Sequence, residues 1–194
     1  MMTVPNILTI LRILLTPFFI VCLFADFPFA KIWALVIFVI ASTTDAYDGY
    51  YARKYNAITD SGRFLDPLAD KILVSSAFIS FAVMGLIDFW MVGLIIFRDL
   101  FVTGLRMIIS AKGFTMLTSR IAKMKTTFQV TLIILTLVLL GMKGLHLEPL
   151  RMIISFMKEF RIIYYLTLLV TFFTVYTGLV YLYDNRATLK KIFI

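Results

Sequence analysis

The chain has 194 residues, of which 61% are hydrophobic and only 15% charged, against roughly 45–50% and about 25% in soluble globular domains. With a mean hydropathy of +0.97, 19 Phe, and Gly and Pro numbering only 9 and 5, the composition excludes disordered, collagen-like and low-complexity classes and argues against a soluble domain. Cys22 is the single cysteine and no Cys/His spacing of the zinc type is present, so any metal is expected to be held by oxygen, while a formal charge of +8 in so apolar a chain points to an anionic neighbour.

The N-terminal run does not read as a cleaved signal: Arg12 follows eleven uncharged residues, Pro17 interrupts the apolar stretch, and no small-x-small site follows. The gaps between charges predict six helices, over 13–25, 32–44, 72–87, 89–111, 126–142 and 162–183, with no repeat, linker or second domain within 1–194. Several gaps are shorter than the ~20 apolar residues that cross a bilayer. The helices are therefore predicted to run on through flanking charges, the second beginning near Pro28 and carrying Asp45 and Asp48 at its far end. A connection near 143–161 contains Met152–Phe160, predicted to lie on the outer surface as an amphipathic helix preceded by Pro149.

Six spans put both termini on one side, which collects thirteen basic residues against five on the other, with Arg98 inside a span. An excess of Lys and Arg marks the cytoplasmic face, so both termini and the 45–71 segment are expected there, in an integral protein of the cell membrane. Basic residues scattered between apolar runs suit anionic lipid headgroups or phosphorylated substrates and do not suit nucleic acid. Cys22 reads as a small buried hydrophobe. His146 sits in the outer connection, away from any expected chemistry, and Phe172, Phe173, Tyr176, Tyr181 and Tyr183 read as packing and interfacial anchors.

The informative stretch runs from Asp45-Ala-Tyr-Asp48-Gly49 through Arg53 to Gly62-Arg-Phe-Leu-Asp66-Pro-Leu-Ala-Asp70, a window of 26 residues that holds five of the eleven acids, four of them in these two spaced pairs. Residues three and four apart share a helix face, so Asp45 with Asp48, and Asp66 with Asp70, form two carboxylate pairs on consecutive helices. One carboxylate at mid-membrane costs about 2.5–3.5 kcal/mol on insertion scales, and four together need water, partners or cations. An all-oxygen set of this charge suits Mg²⁺ or Mn²⁺ between carboxylates and substrate phosphates. Gly49, Ala52 and Gly62 would let a bulky group approach the backbone, and Arg53 could grip a diphosphate bidentately.

The spacing D-x₂-D-G-x₂-A-R-x₈-G-x₃-D-x₃-D, filled at every fixed position from Asp45 to Asp70, resembles the signature of the CDP-alcohol phosphotransferase family. The resemblance implies an all-α integral membrane enzyme of six transmembrane helices, usually homodimeric, that joins a CDP-linked group to an alcohol and releases CMP. By the same resemblance Asp45, Asp48, Asp66 and Asp70 would ligate two divalent ions, with Asp70 also the general base, and Asp48, Gly49, Arg53, Thr59 and Gly62 would meet the CDP moiety. Pro5-Asn6-Ile-Leu-Thr9-Ile-Leu-Arg12 is similar to the family's PN-x-L-T-x-x-R opening, an amphipathic segment along the cytoplasmic surface, which implies a nucleotide-pocket role for Asn6 and Thr9. A plain helix start with Pro in its first turn fits those residues equally.

Lys123-Met-Lys125-Thr126-Thr-Phe-Gln129 is similar to the K-x-K-T-x-x-Q element of bacterial members that make phosphatidylglycerophosphate, with Ala122 where many of them have Gly. Arg98-Asp99 and Arg106 are similar to further elements of the same members. This implies CDP-diacylglycerol as donor and sn-glycerol 3-phosphate as acceptor, whose dianionic phosphate would need the cations Arg106, Arg120, Lys123 and Lys125. Positive-inside topology alone would also explain those cations. Asp99 and Arg106, seven apart, are expected to share a face, whereas the adjacent Arg98 and Asp99 are not expected to pair; a buried ion-pair network and direct substrate contact both remain open for them. Other acceptors (phosphatidylglycerol, serine, an inositol phosphate) stay open within this chemistry. A cation transporter using the same acids is the reading from a different class.

Overall fold

The computed structural model describes the backbone of residues 4–55, 60–112, 114, 120–143 and 148–193, and the side chains of 10–44, 69, 71–112, 114, 124–143, 150, 152 and 154–190. All regular structure among the described residues is helical: α1 (Val4–Phe24), α2 (Ala30–Tyr55), α3 (Asp60–Val83), α4 (Phe89–Ala111), α5 (Arg120–Met142), α6 (Glu148–Glu159), α7 (Ile162–Asp184) and α8 (Arg186–Phe193). Six are long, and α6 and α8 are short. The long helices do extend past the apolar gaps: α2 continues through Asp45, Asp48 and Arg53, α3 starts ahead of Asp66, and α5 starts at Arg120. A helix propagates cheaply once nucleated, so it need not stop where its hydrophobic stretch does.

The N-terminal motif does not form a separate segment. Asn6, Thr9 and Arg12 belong to the same uninterrupted α1 that carries Pro17. The outer helix α6 begins earlier than Met152, with Pro149 inside its first turn, where the missing N–H leaves no helical bond unmade. Arg161 then takes a left-handed conformation, φ 47°, and the chain turns from α6 into α7.

Packing is by pairs. α1 lies along α2 and α3, α5 against α2 and α7, and α4 against α3 and α7. The apolar core sits among Phe19 and Leu23 of α1, Phe38 of α2, Phe78 and Phe81 of α3, and Ile133 and Leu137 of α5, with the Phe19 and Phe38 rings 5.6 Å apart.

Polarity is distributed the wrong way round for water. Large apolar side chains face outward, Phe97 at 67% and Leu169 at 65% exposure, while Thr136, Thr167, Thr171 and Thr174 are fully buried. Soluble proteins bury their aliphatics and expose their hydroxyls; lipid as solvent removes that demand, and small hydroxyl residues then serve close helix packing. Thr136 and Thr171 return their Oγ1 hydrogens to Leu132 and Thr167 carbonyls of their own helices. The protein is a membrane protein. By length and apolarity alone Met124–Met142 and Ile162–Asp184 qualify as spans, with shorter apolar stretches over Ile10–Phe24, Ala30–Thr44 and Lys71–Val83 among the described residues. α4 carries Arg98, Asp99 and Arg106.

Candidate active site and a buried charge network

The four acids are placed by helix register. Residues 56–59 connect α2 to α3, so the C-terminal end of one helix and the N-terminal end of the next lie on the same side. Asp48 precedes the end of α2 by seven residues and Asp66 follows the start of α3 by six, about 10 Å along each axis; Asp45 and Asp70 both stand ten residues away, about 15 Å. By residue count the two Asp pairs therefore stand at similar distances along α2 and α3 from the connection between these helices. Their side chains, and those of Asn6, Thr9, Gly49, Arg53, Gly62, Arg120 and Lys123, lie outside the described residues, as does Thr59 altogether.

The donor set fits a hard divalent cation. Between 45 and 70 there are five Asp, four of them at the spaced motif positions, and no Cys or His, and carboxylate oxygens are the ligands of Mg²⁺ and Mn²⁺.

The described side chains build a second feature deeper in the bundle, where α4, α5 and α7 meet. Asp99 of α4, 3% exposed, accepts at Oδ1 from the Lys125 ammonium of α5 and from Arg98 Nη1 at 3.2 Å. Its Oδ2 accepts from Gln129 Nε2 at 3.3 Å. Gln129 Nε2 also reaches Thr174 Oγ1 at 3.5 Å, and Arg98 Nη2 donates to Thr177 Oγ1 at 3.1 Å. Lys125 and Gln129 are 2% and 1% exposed. Lys125 also feels the like charge of Lys71, the residue after Asp70 on α3.

One expectation changes here. Arg98 and Asp99 do bond although adjacent, with the arginine side chain also held against Thr177 and Gly178 of α7. Arg106, two turns from Asp99 on α4, is exposed, with Nε donating to Tyr181 Oη at 3.4 Å and Cζ 5.7 Å from the centre of that ring. Of the cations expected to bind acceptor phosphate, Lys125 and Arg106 are thus described, the first buried on Asp99 and the second against α7.

Sequence reasoning passed over the α7 side of this network. Thr167, Thr171, Thr174, Gly178 and Tyr181 recur at intervals of four, three, four and three and are all buried, a polar and small-residue stripe inside an apolar helix. That periodicity was the available signal. At Gly178 the Arg98 stem passes against the α7 backbone so closely that a Cβ would lie 2.9 Å from Arg98 Cγ and 3.1 Å from Nε.

Residues 2–176 match the CDP-alcohol phosphatidyltransferase family. The chain belongs to that family. Its members generally depend on a divalent cation, in keeping with the oxygen donors of the hairpin. Curated relatives named CDP-diacylglycerol–glycerol-3-phosphate 3-phosphatidyltransferase include one from Bacillus subtilis, 42% identical over 142 residues (67% of this chain and 74% of the relative). A second, from Rickettsia bellii, is 39% identical over 140 residues, 72% and 76% of the two chains. A third, from Cereibacter sphaeroides, is 37% identical over 150 residues, 75% and 67%.

Proposed function

We propose that the chain transfers the phosphatidyl group of CDP-diacylglycerol to the primary hydroxyl of sn-glycerol 3-phosphate, giving phosphatidylglycerophosphate and CMP in phospholipid biosynthesis. The observation that supports this most directly is that relatives from separate bacterial groups, each at 37–42% identity, carry one activity name with one donor and one acceptor. The finer reading is a single domain over 1–194, homodimeric in the cell membrane. Its six long helices span the bilayer, with both termini and the acidic hairpin at the cytoplasmic face, where water delivers the acceptor.

In this reading the acceptor oxygen bonds to the β-phosphorus as the bridging P–O bond breaks, and that electron pair leaves with CMP. Asp70 takes the hydroxyl proton, a contribution that is mainly one of position, since an ordinary carboxylate is a weak base at neutral pH. No fixed position of the D-x₂-D motif is Ser, Cys or His, so displacement is direct and in line, without a covalent enzyme intermediate. Asp45, Asp48, Asp66 and Asp70 would hold two divalent ions, Mg²⁺ or Mn²⁺, which when bound would supply positive charge against the diphosphate and the departing CMP. Asn6, Thr9, Asp48, Gly49, Arg53, Thr59 and Gly62 bind the CDP moiety, and Arg106, Arg120, Lys123 and Lys125 gather the acceptor phosphate.

The test is acceptor choice. Purified protein given radiolabelled CDP-diacylglycerol and, separately, glycerol 3-phosphate, phosphatidylglycerol, serine and inositol phosphate should release CMP with glycerol 3-phosphate alone. Turnover with a different alcohol would replace the acceptor. Cation flux in liposomes free of CDP-diacylglycerol, without CMP release under any condition, would overturn the transferase reading.

A further inference from the structure

We propose that Asp99 is a positioning residue for the transfer reaction, fixing the Lys125 ammonium against the acceptor phosphate through a carboxylate shared by two turns of α5. The inference rests on the reading of Lys125 as an acceptor-phosphate ligand.

Lys125 and Gln129 stand four residues apart on α5, and both donate to the one Asp99 carboxylate, Lys125 to Oδ1 and Gln129 to Oδ2. A side chain held at two successive turns constrains the rotation and the axial position of the helix together, so it sets where the ammonium lies as well as its charge. Lysine otherwise has a long flexible stem. An ammonium carries three N–H donors and Asp99 engages one of them, so the same group can bond a phosphate without leaving its partner. The carboxylate is itself held from the other side by Arg98 Nη1, and Arg98 is steadied by Thr177 and by the close approach that Gly178 permits.

Stability does not account for this arrangement. A buried ion pair is often matched or surpassed by well-packed apolar residues, and charged groups within a membrane segment are expensive to insert. Among the described side chains, Lys125 and Arg98 against Asp99 make two cations on one anion, so this network carries an excess of positive charge. Two buried atoms of the network, Arg98 Nε and Gln129 Oε1, have no hydrogen-bond partner among the described residues, so it is not the fully satisfied polar core that a stabilising role calls for. Excess positive charge in the network and a fixed ammonium together suit a phosphate dianion.

The experiment compares wild type, Asp99→Asn, Asp99→Glu, Lys125→Met and the Asp99→Asn/Lys125→Met double variant as purified enzymes, with steady-state constants for each substrate and thermal unfolding of each protein. Asp99→Asn should raise the KM for glycerol 3-phosphate about ten- to a hundredfold, the range for removing one partner of a buried hydrogen-bonded group, and leave the KM for CDP-diacylglycerol unchanged. Asp99→Glu should recover most of the loss. Because Asp99 acts through Lys125, the double variant should be no worse than Lys125→Met alone. If Asp99→Asn does not accumulate in membranes, Gln129→Leu replaces it, with a smaller rise in the same KM. Equal effects on both substrates, a lowered unfolding temperature with unchanged constants, or multiplying effects in the double variant would overturn the positioning role. Wild-type enzyme that does not use glycerol 3-phosphate would instead remove the acceptor reading and this inference with it, an outcome distinct from an active wild type with an indifferent Asp99→Asn.

Discussion

Replacing Gly178 by Ala should destabilise the protein even though alanine is the better helix former. The added Cβ would stand 2.9 Å from Arg98 Cγ and 3.1 Å from its Nε, inside the about 3.5–4.0 Å at which carbon atoms rest, so the arginine stem must retreat by about 0.6 Å or more. Its guanidinium is tethered at 3.2 Å to Asp99 and 3.1 Å to Thr177, and a retreat of that size weakens both bonds. Bonds to a charged group contribute about 1.5–3 kcal/mol each. Partial loss of two, offset by the ~1 kcal/mol that alanine gains over glycine in a helix, leaves a net destabilisation of about 1–3 kcal/mol. At this chain length that lowers the unfolding temperature by roughly 2–10 °C. Thermal unfolding in detergent micelles measures it, with Gly93→Ala and Gly104→Ala as internal controls. Nothing lies within 4 Å of the Cβ position at either site in α4, so both should unfold at or above the wild-type temperature. A Gly178→Ala variant that gains stability as the controls do would refute the claim that α7 is shaped around Arg98.

Two further outcomes follow from the acidic hairpin. Asp66→Asn and Asp70→Asn should each lower CMP release by about a hundredfold or more while the protein still inserts and unfolds at its usual temperature; full activity in either would remove that residue from the chemistry. Chelation of divalent cations should abolish CMP release, and adding back Mg²⁺ and Mn²⁺ separately should identify the productive ion. Turnover that persists at full rate in excess chelator would mean the four acids serve another purpose.

The hairpin was legible without coordinates because helical periodicity is a local property. Asp45 and Asp48 share a face of any helix that contains them, as do Asp66 and Asp70, and α2 and α3 do contain them. Membrane character was equally legible, being a matter of composition. The Lys125–Gln129 spacing could be read as a motif, but its partner could not. Asp99 lies 26 residues earlier on another helix, and a lone acid beside Arg98 offers no hint of which cation it will meet.

What the amino-acid order determined by itself is thus what depends on neighbours in the chain: an apolar helical protein and Asp residues at helical pair spacing. What tertiary structure alone decided is which charges neutralise which. Adjacent Arg98 and Asp99 came to share a bond, Arg106 went to Tyr181, and Lys125 was buried on Asp99, because helix packing brings α4, α5 and α7 together across long separations in sequence. In an apolar interior a buried charge is driven to whatever partner that packing places within reach.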